Sequence, residues 1–325
     1  YRFYDGEPVT KKSLFNLLCS KEDSFSSINL SELCVNKLGG ILRYFGQFIS
    51  AERMLPKYGY ASPGALYATQ MYLDIVGIVG LEDGYYYYHP VKHQLVLINR
   101  NNEGLPRHLN IHFIGKKSAI EPIYKNNIRE VLEIEAGHMV GLFENILPEY
   151  GLKIRECEYN SSVKNKLSVV NEDFYLGTFE IISGKQPRMD YPICTYVQVH
   201  GNKVEGLSQG LYLFMNDEFI KQSDDIIRKK DIIAINQAVY DRASFAISIT
   251  SRAEKKWMSF INLGRKLQNI QMNDLNLGFM SSGYSSHSGN NLPSADRIEE
   301  ILDRKTDAFY FFVGGGVSNE QVASQ

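Results

Sequence analysis

An internal repeat limits the fold of this chain more than any other feature of its sequence. The motif G-L-x-x-G-x-Y occurs at 80–86 and again at 206–212, an offset of 206 − 80 = 126. Two further glycine pairs, Gly137 with Gly264 and Gly151 with Gly278, keep a common offset, since 264 − 137 and 278 − 151 are both 127. Strand, turn and helix patterns recur in the same order around them. The sequence therefore predicts a duplicated α+β unit, with two unrelated hairpins of similar turn chemistry as the alternative.

Hydrophobic patterning predicts similar secondary structure in the two halves. Helical spacing over 128–147 and 257–272 predicts one long helix in each half, and β-rich runs precede both helices. Polar segments around 159–166 and 183–189 separate the halves. We therefore predict two tandem lobes, 1–182 and 183–325, each with a mixed or antiparallel sheet packed by helices.

Composition excludes several classes of function. The chain has 325 residues with 35 basic and 37 acidic side chains, so it lacks the basic excess that a nucleic-acid partner requires. No apolar run approaches the roughly 20 residues of a membrane helix, and the first residues lack a signal-peptide pattern. The four cysteines show no C-x-x-C spacing, which argues against a zinc site or a disulfide framework. We expect a cytoplasmic protein without a metal, a membrane or a nucleic-acid partner.

Two segments have the composition of ligand-binding turns. The turn Ser62-Pro63-Gly64 leaves backbone N–H groups free to face an anion or a ring carbonyl, and an ordinary turn is the alternative. The segment 278–293 is small and rich in hydroxyl groups, and it follows the second long helix. Its composition predicts a loop that holds a flat polar ligand, with a flexible surface loop as the alternative.

The pair Tyr124-Lys125, just before the first long helix, is a candidate for proton transfer. An unperturbed lysine has a pKa of about 10.4, so it acts as a base at neutral pH only when burial lowers that value. A surface lysine at a helix start is the alternative. His138, within the helix, is interpreted as a core histidine bonded to a backbone carbonyl rather than as a ligand.

Taken together, these segments resemble the nitroreductase superfamily of FMN-dependent enzymes. Within it they are most similar to the FMN-dependent oxidases of nonribosomal peptide synthetases, of thiazoline and indigoidine type, which are related to azoline dehydrogenases. The resemblance runs along essentially the whole chain through the segments 1–4, 57–70, 131–142, 235–242, 263–273 and 278–292. Residues 1–4 look like the tail of the family's R-x-S-x-R motif, from which we expect a trimmed or excised chain.

The resemblance implies roles for individual residues. Arg2 would hold the FMN phosphate, and Lys125 and Tyr124 would transfer protons. That pair is inverted relative to the family's Lys-Tyr order, so which of the two faces the substrate stays open. Pro63 stands where the family has small residues. The residues that the resemblance implies for the flavin ring are Ser62, Pro63, Gly64 and Gln70 in one half, and Ser281, Ser282, Gly283 and Tyr284 in the other.

The implied activity is dehydrogenation of a carrier-bound thiazoline or oxazoline to the aromatic azole during nonribosomal peptide synthesis. Two alternatives stay open: dehydrogenation of another carrier-bound aminoacyl unit, of indigoidine type, or a flavin-free docking module. The implied cofactor is FMN, held between two halves of one chain or across a dimer. The implied partners are a synthetase module with its peptidyl carrier domain and a second copy of the chain, giving a homodimer.

Overall fold

The computed structural model describes residues 9–19, 29–49, 57–101, 104–185, 192–273, 277–285 and 293–316. They belong to two compact units. The N-terminal unit comprises Glu22–Arg188 and Gly264–Gln268, and the C-terminal unit comprises Tyr1–Lys21, Met189–Leu263 and Asn269–Gln325. The predicted lobes 1–182 and 183–325 differ from these units at residues 1–21, 183–188 and 264–268. The first difference arises because Val9 and Thr10 pair in parallel with Val204 and Glu205.

The described elements include fourteen strands and seven α-helices. The strands are β1 (Val9–Thr10), β2 (Thr69–Val76), β3 (Gly84–His89), β4 (Gln94–Arg100), β5 (His108–Gly115), β6 (Leu152–Glu156), β7 (Phe174–Ser183), β8 (Ile193–Val199), β9 (Val204–Glu205), β10 (Gly210–Met215), β11 (Glu218–Ser223), β12 (Phe245–Ser251), β13 (Leu277–Ser285) and β14 (Ala308–Gly316). The α-helices are α1 (Lys11–Leu18), α2 (Val35–Arg43), α3 (Lys117–Ile120), α4 (Ile128–Ile146), α5 (Gln237–Arg242), α6 (Ser259–Asn273) and α7 (Pro293–Leu302). Runs of consecutive strands occur at β2–β5 and β6–β11.

The two units contain six-stranded sheets of the same topology. The strand order is β4-β3-β2-β5-β7-β6 in the N-terminal unit and β11-β10-β8-β12-β14-β13 in the C-terminal unit. Every neighbouring pair within these sheets is antiparallel. The long helices α4 and α6 occupy equivalent places, after the fourth strand of each copy. The predicted α+β class and the predicted duplication are therefore confirmed.

The glycines of the repeated motif are required by the backbone. Gly80 and Gly206 have φ angles of +90° and +85°, in the left-handed region that side chains disfavour. Gly84 and Gly210 begin equivalent strands, and a Cβ there would lie 2.5 Å and 2.6 Å from a carbonyl oxygen of the next strand. The motif thus specifies the same turn into the second sheet strand of both copies.

The motif tyrosines make the same hydrogen bond in both copies. The hydroxyl of Tyr86 donates to the carbonyl oxygen of Glu82 at 2.7 Å, and that of Tyr212 donates to the carbonyl oxygen of Ser208 at 2.9 Å. Each bond closes the turn before the strand. It joins the tyrosine to the carbonyl oxygen of the residue four positions earlier, which accounts for the fixed place of the tyrosine in the motif. The repeated motif is therefore structural, and it carries no chemistry of its own.

Removing either hydroxyl should weaken its hairpin by a similar amount. We expect Tyr86→Phe and Tyr212→Phe each to lower the free energy of unfolding by about 0.5–1.5 kcal/mol, the net value of one hydrogen bond. Urea denaturation measures this, with Tyr44→Phe, at a 42% exposed position, as the control. Equal stability of all three variants and the wild type would contradict the shared role.

Helix α4 is buried on all sides in the N-terminal unit. Its residues from Glu130 to Glu144 are all buried, which explains why its apolar periodicity is weak although the helix is long. It packs on strands β2, β5, β6 and β7. Across the described ranges, no helix is both long enough and apolar enough to cross a membrane. The position of α4 brings the Glu135 side chain to the start of β2.

The loop predicted over 278–293 is wrong in its first part. Leu277–Ser285 forms strand β13, which pairs with β14 at the edge of the C-terminal sheet. The register shifts between Ser281 and Tyr284, so Ser282 and Gly283 lie in an irregularity of the strand. Small polar residues did not indicate this strand because an edge strand is held by backbone hydrogen bonds on one side. Residues 286–292 lie outside the described ranges.

Candidate functional site

A cavity of about 260 Å³ lies within the N-terminal unit, beside the segment that leads into β2. We call it the tyrosine cavity, after the aromatic residues that dominate its wall. The residues that line it are Phe45, Tyr58, Tyr60, Tyr67, Ala68, Thr69, Gln70, Met71, Tyr87, Tyr88, Pro90, Lys116, Ala119 and Met139.

The tyrosines of this cavity pack against one another. The rings of Tyr58 and Tyr67 have centroids 3.8 Å apart, and Tyr60 meets Tyr67 edge-on at 5.6 Å. Burial raises the pKa of all three phenols above the ordinary value, and the nearby Glu135 carboxylate adds to the rise. These hydroxyl groups therefore stay protonated at neutral pH and are available as hydrogen-bond donors.

The predicted turn forms the approach to the tyrosine cavity. Pro63–Ala65 is a single 3₁₀ turn, and the N–H of Tyr67 donates to Ser62 Oγ at 2.8 Å. Gly64, Ala65 and Tyr67 have φ angles of +64°, +55° and +48°. A non-glycine residue in this region costs about 1–3 kcal/mol, and such strain is concentrated at functional sites.

The structure brings the predicted turn and Tyr124 together. A Cβ on Gly64 would lie 3.4 Å from Tyr124 Oη, so the tyrosine hydroxyl covers the bare backbone of the turn. Gln70 lies at the start of β2 and lines the tyrosine cavity, where its Oε1 accepts from the Tyr72 hydroxyl at 3.4 Å. Ser62, Pro63, Gly64, Gln70 and Tyr124 are thus parts of one region of the N-terminal unit.

The other predicted residues are placed differently. Lys125 is exposed in the loop before α4 and does not line the tyrosine cavity. To act as a base at neutral pH, the Lys125 amine would have to be desolvated by a bound substrate. Arg2 lies outside the described residues. Ser281 and Tyr284 pair with β14 in the C-terminal unit, so the backbone of this group belongs to a strand.

Sequence reasoning missed Glu135, which is 1% exposed on α4. Its Oε2 accepts from the N–H of Thr69 at 2.8 Å, at the point where the turn becomes β2. Burial raises the pKa of Glu135, and hydrogen bonding from Ser62 and Thr69 opposes part of that rise. A buried carboxyl group therefore ties the strained turn to the helix. A carboxylate between two apolar residues of a buried helix was the signal that could have identified it.

His138 is a core residue, as the sequence predicts, but its partner is a side chain. Gln268 Nε2 donates to the carbonyl oxygen of Gly59 at 3.1 Å, which turns its Oε1 toward His138 Nδ1, also at 3.1 Å. Nδ1 therefore carries the proton of a neutral imidazole. Burial lowers the pKa of His138 to about 4. The chain of bonds joins α4, residues 264–268 and the segment before the turn.

The buried imidazole should make stability depend on pH in acid. The pKa of His138 is about 4 in the folded protein and ordinarily 6.5. The contribution of the neutral imidazole to the free energy of unfolding is therefore complete above pH 6.5 and is lost as the pH falls toward 4. Glu133, whose pKa burial raises from 4.5 to about 7, acts in the opposite direction. Between pH 7.5 and pH 5, we expect the free energy of unfolding of His138→Gln to fall by about 2 kcal/mol less than that of the wild type. Urea denaturation at each pH measures this, and parallel curves would contradict it.

Two curated proteins resemble the chain along its whole length. It is 55% identical over 328 residues to the indigoidine synthase of Streptomyces lavendulae and 49% identical over 325 residues to that of Dickeya dadantii (strain 3937). Both matches cover 100% of this chain, but the chain spans 26% and 22% of the lengths of these relatives. No protein-family model matches the sequence.

One solved structure resembles the chain over nearly its whole length. A protein assigned as a nitroreductase, from Anabaena variabilis ATCC 29413, aligns with a TM-score of 0.69 over 98% of this chain and 93% of that chain. The sequence identity is 14%, so this likeness concerns the fold. The chain therefore has a nitroreductase-like fold, and its sequence corresponds to one segment of two larger synthases.

Proposed function

We propose that the chain is the FMN-dependent oxidase segment of a larger peptide synthetase. In this proposal it dehydrogenates an aminoacyl unit held as a thioester on a carrier domain, with a glutaminyl unit as the first candidate. The observation that carries the proposal is the match, over 100% of the chain, to two proteins named indigoidine synthase. A peptidyl carrier domain and a second copy of the chain are the proposed partners.

A carrier-bound thiazoline or oxazoline is the second candidate substrate. The resemblance to thiazoline oxidases and azoline dehydrogenases supports it, whereas the names of the two relatives favour the aminoacyl unit. Both substrates lose two hydrogens from adjacent carbons next to a carbonyl group, so one site could serve either chemistry. The choice between them depends on the acyl group that the tyrosine cavity accepts.

The residues of the tyrosine cavity fit the ring part of a flavin or a small acyl group. Phenol donors, the Gln70 amide and the Lys116 ammonium group suit the carbonyl and nitrogen acceptors of a flat polar ring. Its volume of about 260 Å³ is slightly below the range of about 300–1,000 Å³ that is usual for ligand pockets, so it does not enclose a whole FMN. Arg2 and the strand residues Ser281, Ser282, Gly283 and Tyr284 remain the proposed phosphate and ring contacts.

The proposed mechanism assigns proton transfer to this chain. The thioester carbonyl acidifies the α-carbon, and Lys125, with Tyr124, removes the α-proton. A bound FMN would supply the two-electron oxidation by taking up the β-hydrogen as hydride, with dioxygen as the final electron acceptor. The turn at Gly64 and the tyrosine hydroxyls orient the reacting group and exclude water.

Flavin content and product structure test the proposal. The purified protein should be yellow, with FMN bound in a fixed ratio to the chain, and should convert a glutaminyl thioester to a product two mass units lighter. A thiazoline thioester is the comparison substrate; since both products lose two mass units, NMR of the product decides between them. A colourless protein that ignores added FMN would support the flavin-free docking module instead.

A further inference from the structure

A second cavity, of about 750 Å³, lies within the N-terminal unit beside the connection between β6 and β7. Its wall is mostly polar, and we call it the polar groove. The polar residues that line it include Arg129, Ser161, Ser162, Lys164, Asn165 and Asn171. None of them belongs to the tyrosine cavity or to the residues that the sequence predicts for FMN.

The wall of the polar groove is a fixed structure. Lys164 Nζ donates to the carbonyl oxygens of Asn171 at 2.9 Å and Asp173 at 2.6 Å, which closes the connection on itself. The hydroxyl of Tyr159 donates to the carbonyl oxygen of Tyr175 at 3.1 Å and pins the connection to β7. A groove held in this way is formed before a ligand arrives, which reduces the entropy cost of binding.

The connection that forms the groove differs between the two copies of the fold. In the N-terminal unit it contains a 3₁₀ turn at Ser161–Lys166, whereas the equivalent connection between β13 and β14 contains helix α7. The strand order on either side is the same. The groove is therefore a feature of one copy that the shared fold does not require.

The chemistry of the groove suits a flexible chain that carries amide and hydroxyl groups. Ser161 and Asn165 are exposed, so their hydroxyl and amide groups can donate and accept. Lys164 uses two of its three N–H donors on carbonyl oxygens, so one is left for a ligand. Arg129, paired with Glu133 at 2.7 Å, adds a second cation at the rim. The 4′-phosphopantetheine arm of a carrier domain offers two amides, a hydroxyl and a terminal phosphate to such a set.

One tyrosine separates the polar groove from the tyrosine cavity. The ring of Tyr72 lies 5.3 Å from that of Tyr87, which lines the tyrosine cavity. Tyr72 also packs in one cluster with Tyr175, which lines the groove. In addition, the N–H of Lys117 donates to Asp173 in the groove, while the preceding Lys116 lines the tyrosine cavity. Residues of the two cavities are therefore linked through Tyr72 and through the backbone at Lys116 and Lys117.

We propose that the polar groove holds the pantetheine arm of the carrier-bound substrate and thereby directs its acyl end to the tyrosine cavity. This inference rests on the proposed function, because it assumes an acyl thioester as substrate. It adds the place where the arm binds and the residues that recognise it.

Two glutaminyl thioesters, of pantetheine and of N-acetylcysteamine, test the inference on the full chain with FMN. They share the acyl group and the thioester and differ in the part of the arm that the groove would hold. We expect the wild type to prefer the pantetheine thioester in kcat/KM by about tenfold, the value of one or two net hydrogen bonds. Asn165→Trp and Ser161→Trp, which fill the groove, should remove this preference through KM and leave the N-acetylcysteamine thioester unaffected. Val170→Trp, in the same connection at a 58% exposed position that does not line the groove, is the matched control.

The outcomes separate this inference from the proposed function. A wild type without preference, or groove variants that keep it or lose activity toward both thioesters alike, would overturn the inference. If the wild type oxidises neither thioester, the glutaminyl substrate of the proposed function fails, and calorimetry with 4′-phosphopantetheine then tests the groove directly. Binding that Asn165→Trp abolishes and Val170→Trp preserves would support the inference, and absence of binding to the wild type would overturn it.

Discussion

Gly264→Ala is expected to lower the free energy of unfolding by about 3 kcal/mol, at the upper end for an overpacked core. A Cβ on Gly264 would overlap the carbonyl oxygen of Ile134 and lie 2.9 Å from the Cα of Gly137. Backbone atoms of two packed helices cannot move aside as a flexible side chain could. Gly137 and Gly264, one of the two glycine pairs with the 127-residue offset, therefore lie where α4 and residues 264–268 pack closely together.

Gly39→Ala is the matched control for this substitution. Gly39 also lies inside a helix, but nothing would lie within 4 Å of its added Cβ. Alanine should therefore raise the free energy of unfolding there by about 0.5–1 kcal/mol, because it restricts the unfolded chain and favours the helix. Urea denaturation of both variants measures the difference, and the same sign at both positions would contradict the contact between the helices.

Lys125→Ala is expected to slow dehydrogenation about 100- to 10,000-fold while FMN remains bound, the usual range for loss of a general base. Tyr124→Phe separates the two members of the pair, since it keeps the ring against Gly64 and removes the hydroxyl. The larger loss in kcat identifies the base. Single-turnover absorbance of the bound flavin measures the chemical step directly.

Lys185→Ala is the control for a lost surface charge, because Lys185 is exposed beyond the end of β7. It should leave flavin reduction unchanged. Full turnover in both Lys125→Ala and Tyr124→Phe would remove the pair from the mechanism. The base would then have to be sought among the groups that line the tyrosine cavity.

Features that depend on short spacing could be predicted from the sequence. The glycines and tyrosines of the repeated motif act through the backbone of their own hairpin, so a seven-residue pattern was enough to find the duplication. Helix α4 was also predicted closely, because the pattern that indicates it lies within its own segment. The turn at Gly64 was identified from Ser62-Pro63-Gly64, whose backbone preferences are local.

Features that depend on contacts between distant parts of the chain could not be predicted from the sequence. Glu135 matters because it bonds to Thr69, and Gln268 because it joins His138 to Gly59. Such partners are set by packing and leave no local pattern. Strand β13 was missed because its partner β14 follows only after helix α7. The exposure of Lys125 likewise depends on how the preceding loop meets the end of α3.

The grouping of residues 264–268 with the N-terminal unit has a consequence for dissection of the protein. A fragment ending at residue 182 would lack Arg265, the ion-pair partner of the buried Glu144, and Gln268, the partner of His138. Two buried polar groups would then lose their partners at once. Although the two copies share one topology, the N-terminal copy cut at residue 182 would therefore not be an autonomous module.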